Sequence, residues 1–322
     1  MSEPRAANRD FAIGFVVVAL AGVLAPAIGL YPVFVMKALC FALFACAFNL
    51  LLGYAGLLSF GHAVFFASAG DALGQSLKVW GWPTELGILF AVAASAALGA
   101  LLGMLAIRRQ GIYFAMVTLA LAQMVYFFFL ETKFTGGEDG LQGIPRGKLL
   151  GVVGLENDTV LYYFILAVFL AALLLIYRIV TSPFGQVLKA IRENEARALS
   201  LGYDIERYKL LAFILSAGLT GLAGACKALV VGFETLTDAA WQMSGEVVLM
   251  TLIGGVGTLF GPVIGAFAIV GLQDQLADRV GSWVQVILGV MFVVCVLGFR
   301  RGIVGELGAW LERRRQPRRP GS

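Results

Sequence analysis

Long apolar runs, separated by short polar or glycine-rich stretches, fill most of this 322-residue chain. They lie near 11–30, 32–52, 57–77, 86–107, 112–130, 160–180, 208–232, 245–272 and 283–299. Each approaches or exceeds the roughly 20 residues that a helix needs to cross a bilayer. Strands of a membrane barrel alternate in polarity over about ten residues, and continuous runs such as 161–180 exclude that pattern. The expected fold is all-α, a polytopic membrane helical bundle. Residues 182–202 interrupt the rhythm with an amphipathic pattern. Ser182 is a good N-cap, Pro183 suits the first helical position, and Gly202 suits a left-handed stop. Phe184, Val187, Leu188, Ile191, Ala198 and Leu199 recur at helical spacing, with Gln186, Lys189, Arg192, Glu193, Asn194 and Arg197 between them. This predicts one helix outside the membrane, with one face on the bundle and one toward a partner.

Composition agrees with the pattern. The chain is 60% hydrophobic and 14% charged, where a soluble domain carries about 25% charged residues. The placement of charge matters more than the net value. Arg5 and Arg9, the Arg108–Arg109 pair, residues 178–209 and the tail 300–319 hold the basic clusters, which mark the cytoplasmic side. The stretch 131–159 and the segment with Glu234 and Asp238 are acidic and belong outside. The expected organisation is a cytoplasmic N-terminus (1–10), a transmembrane domain (11–299) and a basic cytoplasmic tail (300–322). Two cytoplasmic termini demand an even number of crossings, so the run 245–272 must leave and re-enter on one face. Its Gly254-Gly-Val-Gly-Thr-Leu-Phe-Gly-Pro262 stretch is a natural break, giving about 10 helical pieces in all. The first run is read as an uncleaved helix rather than a signal peptide, because apolar sequence continues past Ala25-Pro-Ala27. The basic tail suits orientation and contact with anionic membrane lipid, not nucleic acid.

Polar groups within apolar runs need a reason to be there. Gly53-Tyr-Ala-Gly-Leu-Leu-Ser-Phe-Gly-His62 has glycine spacing similar to the later break, and paired glycine-interrupted segments point to a midplane substrate path. Asn49, Ser59 and His62 either line such a path or hydrogen-bond the broken backbone, and the sequence leaves both open. Gln123 and Thr118 are further candidates, together with Gly254 and Gly257 in the second break. Asp71 is expected to reach the membrane interface near Lys78, Lys227 to snorkel, and Glu246 to sit at the outer surface. Ser59 and His62 lack a carboxylate at orienting spacing, which argues against catalysis. Phosphate-binding Gly-x-x-x-x-Gly-Lys-Ser/Thr, HExxH and CxxC motifs are missing, and Cys40, Cys46, Cys226 and Cys295 show no metal spacing. No enzyme activity, cofactor or metal is expected.

Four blocks together resemble one family: Phe48-Asn-Leu-Leu-Leu-Gly-Tyr-Ala-Gly-Leu-Leu-Ser-Phe-Gly-His62, Thr135-Gly-Gly-Glu-Asp-Gly-Leu-Gln-Gly-Ile-Pro145, Ser182-Pro-Phe-Gly-Gln-Val-Leu-Lys-Ala-Ile-Arg-Glu-Asn-Glu195 and Gly254-Gly-Val-Gly-Thr-Leu-Phe-Gly-Pro262. In order and spacing they are similar to the M-type permease subunit of branched-chain amino acid ABC importers, from about residue 40 to 305. The resemblance implies a multi-pass subunit of the bacterial inner membrane. Its partners would be a homologous H-type permease, two cytoplasmic ATPase subunits and a periplasmic binding protein. The solute would be a branched-chain amino acid, with urea, short amides or other amino acids as alternatives in related permeases. An ion-coupled secondary transporter is the rival class. The helix at 182–202 would couple to the ATPase through Gly185, Lys189, Arg192, Glu193, Asn194, Glu195 and Gly202. The chain departs from the general ABC-importer pattern there, because Gly202 stands one position farther from Glu195 than usual. Asp71 and Lys227 carry charge where the family usually has apolar or aromatic residues.

Overall fold

The computed structural model describes residues 3–26, 29, 31–149, 153–283, 286–287, 289–291 and 293. The basic tail and most of the last apolar run lie outside the described residues. The chain opens with α1 (Glu3–Leu24). Pro32 at the first helical turn starts α2 (Pro32–Asn49), which continues as a π-helical turn over Leu50–Ala55. After a glycine-bounded turn come α3 (His62–Lys78), α4 (Thr84–Ala106) and α5 (Ile112–Glu131). Three two-residue strands follow: β1 (Leu141–Gln142), β2 (Lys148–Leu149) and β3 (Val153–Gly154). Next are α6 (Asp158–Thr181), α7 (Pro183–Glu193), α8 (Glu195–Ser200) and α9 (Ile205–Val231). The strand β4 (Phe233–Glu234), α10 (Trp241–Gly254) and α11 (Gly261–Val280) follow. β1 pairs antiparallel with β4, Leu141 opposite Glu234, and β2 pairs with β3.

Among the described residues, five segments are long and apolar enough to cross a membrane: α2 with its π turn, α4, α5, α6 and α9. α3 and α10, at 17 and 14 residues, are shorter. At 1.5 Å per residue they span roughly 26 and 21 Å, less than a hydrocarbon core of about 30 Å. The expected broken pair is therefore present as α10 and α11, with broader limits than 245–272.

α2, α3 and α9 form the centre, with α4 and α5 beside α3 and α9, and α6, α10 and α11 around α2. Small residues let these helices approach closely. A side chain at Gly224 would strike the Phe66 carbonyl, and one at Gly221 would strike Ser95. Ser95 Oγ donates to the Ala217 carbonyl at 2.8 Å, which ties α4 to α9. Such contacts suit a lipid setting, where packing and interhelical hydrogen bonds replace hydrophobic exclusion from water. The outer faces of α4 and α5 expose Leu89, Leu101, Leu105, Met116, Phe127 and Phe128, an apolar surface for acyl chains. Trp80 and Trp82 cluster with Phe90 at the α3–α4 connection, as in an interfacial aromatic belt.

The single helix expected over 182–202 is two. The backbone at Asn194 is extended, and the Asn194 side chain accepts from Arg197 N at 2.9 Å, so it ends α7 and caps α8. Asn at an N-cap outcompetes helix continuation because its carbonyl satisfies an otherwise orphaned amide.

Candidate functional site

Two helical hairpins turn at the same end of the bundle. The first is α2 with α3 and the second is α10 with α11. Their turns need left-handed backbone, which Gly56 (φ 72°), Gly255 (φ 116°) and Gly257 (φ 79°) supply. Asn49, buried at the end of α2, stitches one turn to the other. Its Oδ1 accepts from Gly257 N at 2.9 Å, and its Nδ2 donates to the Thr258 carbonyl at 2.8 Å. Gly53 lies so near Gly257 that a Cβ at position 53 would collide with the Gly257 backbone. A Cβ at Gly254 would likewise collide with the Gly261 carbonyl. Non-helical backbone at membrane depth is tolerated only where protein or a cavity covers it. Here each break covers the other.

Residues Ser59, His62 and Gln123 lie apart from this seam. Ser59 Oγ is buried and accepts from Gly61 N at 3.2 Å, closing its own turn. His62 packs edge-on against Phe48, Phe65 and Phe213. Its Nε2 lies 2.9 Å from Ser216 Oγ, which donates to the Ala47 carbonyl at 2.6 Å. Since the carbonyl only accepts, His62 donates through Nε2–H to Ser216. Thr118 on α5 accepts from Phe60 N at 3.2 Å and so holds the turn. Gln123 is half-buried on α5. Asn49 thus bonds broken backbone, and His62 bonds a neighbouring helix. The reading in which these groups line a solute path stays a proposal.

α7 docks on the seam. Ser182 caps it, accepting from Gly185 N at 3.3 Å. Gly185 itself sits beneath the carbonyls of Ile179 and Val180, where no side chain fits. Leu188 and Ile191 are buried, and Phe184 stacks on Tyr208 with ring centres 5.6 Å apart. From the other face, Arg192 Nη1 donates to the Gly53 carbonyl, and Lys189 Nζ lies 5.6 Å from the centre of the Tyr54 ring. Glu195 joins α8 to two other elements, pairing with Lys209 Nζ at 2.8 Å and accepting from Gln110 Nε2 at 2.8 Å. Gly202 has φ 85° and ends the segment in the expected left-handed turn. Arg192, Glu193 and Asn194 remain exposed, and the first two border a cavity of about 640 Å³ that reaches Tyr54, Gly257 and Phe260. Tyr54, Gln110 and Lys209 are contacts the sequence pattern did not single out. Only the proximity of Tyr54 to the Gly53 break hinted at one of them.

The charges within apolar runs are placed differently from expectation. Asp71 does not reach the interface beside Lys78; it is 7% exposed, and Lys78 Nζ donates to the Gln142 carbonyl instead. Lys227 does not snorkel. It is buried and pairs with Asp238 at 2.6 Å and Glu234 at 3.3 Å. Glu246 is half-buried and accepts from Gln273 of α11 at 2.9 Å rather than facing outward. Charged groups this deep survive by pairing. β4 supplies Glu234 and the following turn supplies Asp238, because both fold back over the end of α9.

The family model for "branched-chain amino acid transport system / permease component" matches residues 30–296. The chain is 28% identical over 279 residues to the high-affinity branched-chain amino acid transport system permease protein LivM of Escherichia coli (strain K12), and equally to that of Salmonella typhimurium. These alignments cover 80% of this chain and 65% of each relative, so the chain spans just under two thirds of their length. It is also 27% identical over 244 residues to the autoinducer 2 import system permease protein LsrC of Salmonella paratyphi B, covering 72% of this chain and 69% of that one. No solved structure matches the chain. With the family model spanning both glycine-broken hairpins and the α7–α8 segment between them, the chain belongs to the family of branched-chain amino acid transport system permease components.

Proposed function

We propose that this chain is the transmembrane permease subunit of a bacterial ABC importer. It moves branched-chain amino acids, or related small amino acids, into the cytoplasm. ATP hydrolysis on two separate cytoplasmic subunits drives it, a homologous H-type permease pairs with it, and a periplasmic binding protein delivers the solute. In this reading the chain sits in the inner membrane with both termini cytoplasmic, and α7–α8 is the element that receives force from the ATPase. Solute passes near the seam of Asn49, Gly254 and Gly257.

The observation that carries the reading is the contact of Arg192 with Gly53. An exposed amphipathic helix, outside the membrane-crossing elements, holds the backbone of a break inside them. A partner that binds one position of α7 better than another thereby shifts the equilibrium between two arrangements of the hairpins, by as much as its differential affinity. A second reading, an ion-coupled secondary transporter, draws on the buried Asp71 carboxylate. The co-purified complex in proteoliposomes decides between them. Leucine, isoleucine and valine uptake should require internal ATP and the ATPase subunits. Uptake that persists without them would contradict the ABC reading, and preference for urea or amides would move the solute class.

A further inference from the structure

A polar stripe runs along α10 where the rest of the bundle does not cover it. Gln242, Gly245 and Glu246 follow one another at helical spacing; Gln242 is exposed and the other two are half-buried. Glu246 Oε2 accepts from Gln273 Nε2 of α11 at 2.9 Å, which engages one of its two carboxylate oxygens. Asp274, next along α11, is exposed. α10 and α11 both pack against α2, whose half-buried Lys37 lies near enough to act electrostatically on Glu246. No hydrogen bond or ion pair of the Lys37 ammonium occurs among the described residues. An ammonium and a carboxylate from two helices therefore border one open face without pairing directly.

These groups lie within the membrane layer rather than at its rim. Tyr31 and Trp241, both exposed, stand at the starts of α2 and α10 and mark the interface, where amphipathic aromatics collect. At 1.5 Å per residue, Lys37 and Glu246 lie about 8–9 Å deeper along their helices. They are also about 12–18 Å of helix from Asn49 and Gly254 at the seam. Lysine can snorkel from such a depth, but glutamate is shorter, and Gln273 holds it in place. Ionisable side chains at this level face protein or a water-filled cavity, not acyl chains, and they mark solute pathways. Room is present as well. A side chain at Gly245 would meet nothing within 4 Å, and one at Gly271 would meet Phe34 at 3.7 Å. Phe34 stands one turn from Lys37 on the same face of α2 and supplies an apolar neighbour.

We propose that Lys37 and Glu246, on the open face of α2, α10 and α11, form a binding site for the zwitterionic head of an α-amino acid in transit. The Lys37 ammonium takes the solute carboxylate, and Glu246 takes the solute ammonium through charge-assisted hydrogen bonds. Phe34 meets the aliphatic side chain. A paired cation and anion favour a zwitterion over urea or a neutral amide, so the site bears on solute class. The proposal rests on the importer reading and adds the residues that meet solute before the seam. In the co-purified complex, Gly245→Cys should react with a charged, water-soluble thiol reagent above the wild-type background. Leu101→Cys, on the exposed face of α4, should not. Leucine-loaded binding protein with ATP should slow the Gly245→Cys reaction several-fold. At saturating loaded binding protein, Lys37→Gln and Glu246→Gln should each lower leucine uptake about tenfold or more, with ATP still required. The exchange Lys37→Glu with Glu246→Lys should recover part of it. No reaction at Gly245→Cys, a reaction rate indifferent to solute, or full uptake in both charge variants would overturn the proposal. Wild-type uptake without ATP would instead overturn the importer reading, so the two failures are distinct. The thiol measurement places its side chain in open space and decides the matter even if a charge variant fails to fold.

Discussion

Arg192 Nη1 donates to the carbonyl of Gly53, so a side chain of α7 closes on the backbone of the first hairpin's turn. That turn is already stitched to the second hairpin by Asn49. Three segments far apart in sequence therefore meet within two hydrogen-bond steps, and none can move alone without leaving polar backbone unpaired.

Replacing Asn49 should open the seam. Asn49→Leu keeps volume but removes both the acceptor for Gly257 N and the donor to the Thr258 carbonyl. Unsatisfied buried groups cost about 1–3 kcal/mol each. The expected outcome is a marked drop in unfolding temperature in detergent, with Asn49→Asp intermediate because it keeps the acceptor. Equal unfolding temperatures for wild type and Asn49→Leu would show that the stitch carries no stability.

The corner between α6 and α7 should reject any side chain at position 185. Gly185→Ala puts a methyl group against the carbonyls of Ile179 and Val180, both backbone atoms that cannot rotate away. Overpacking of this kind costs about 1–3 kcal/mol. Solute uptake should fall several-fold while the subunit still reaches the membrane. Normal uptake would mean that α7 tolerates displacement and does not set the seam.

Charge pairing at the opposite end predicts a pH response. Burial pushes the Glu234 carboxyl well above its ordinary value, against the downward pull of the Lys227 ammonium. Lys227→Met removes that pull and leaves two buried carboxylates unpaired, a loss of about 3–5 kcal/mol at neutral pH. A carboxyl whose folded pKa is raised stabilises the fold when protonated. That stability is present below the ordinary carboxylate value of 4.5 and is lost as pH rises through the raised value. The variant should therefore unfold at a higher temperature as pH is lowered from 8 toward 5, and Lys227→Met with Glu234→Gln should respond less. A variant with no pH dependence would contradict the buried pairing.

The helical bundle was legible in the sequence because bilayer physics leaves few options for continuous apolar runs. The break at Gly254–Pro262 was legible for the same reason, since a run too long for one span and too short for two had to turn. The sequence does not mark Asn194 as a break, although it is a capping residue, because apolar spacing continues across it to Ala198 and Leu199. The pairing of Lys227 is not legible in the sequence, because its partners lie beyond a chain reversal, at Glu234 and Asp238, where no helical periodicity relates them. Asp71 is farther still from those partners along the chain. Its charge within an apolar run was the available signal, and only the fold reveals what surrounds it. The amphipathic pattern gives Arg192 a partner-facing position. Its grip on Gly53 required knowing that α7 packs under the first hairpin.

Solute-stimulated ATP hydrolysis by the co-purified complex, with Arg192→Ala compared to wild type, tests the central claim most directly. A lost hydrogen bond from a charged donor is worth about 1.5–3 kcal/mol. The account therefore predicts that stimulation falls about tenfold or more in an assembled complex, and that Arg192→Lys recovers part of it. Full stimulation in Arg192→Ala would contradict it, because α7 would then act on the bundle without the Gly53 contact.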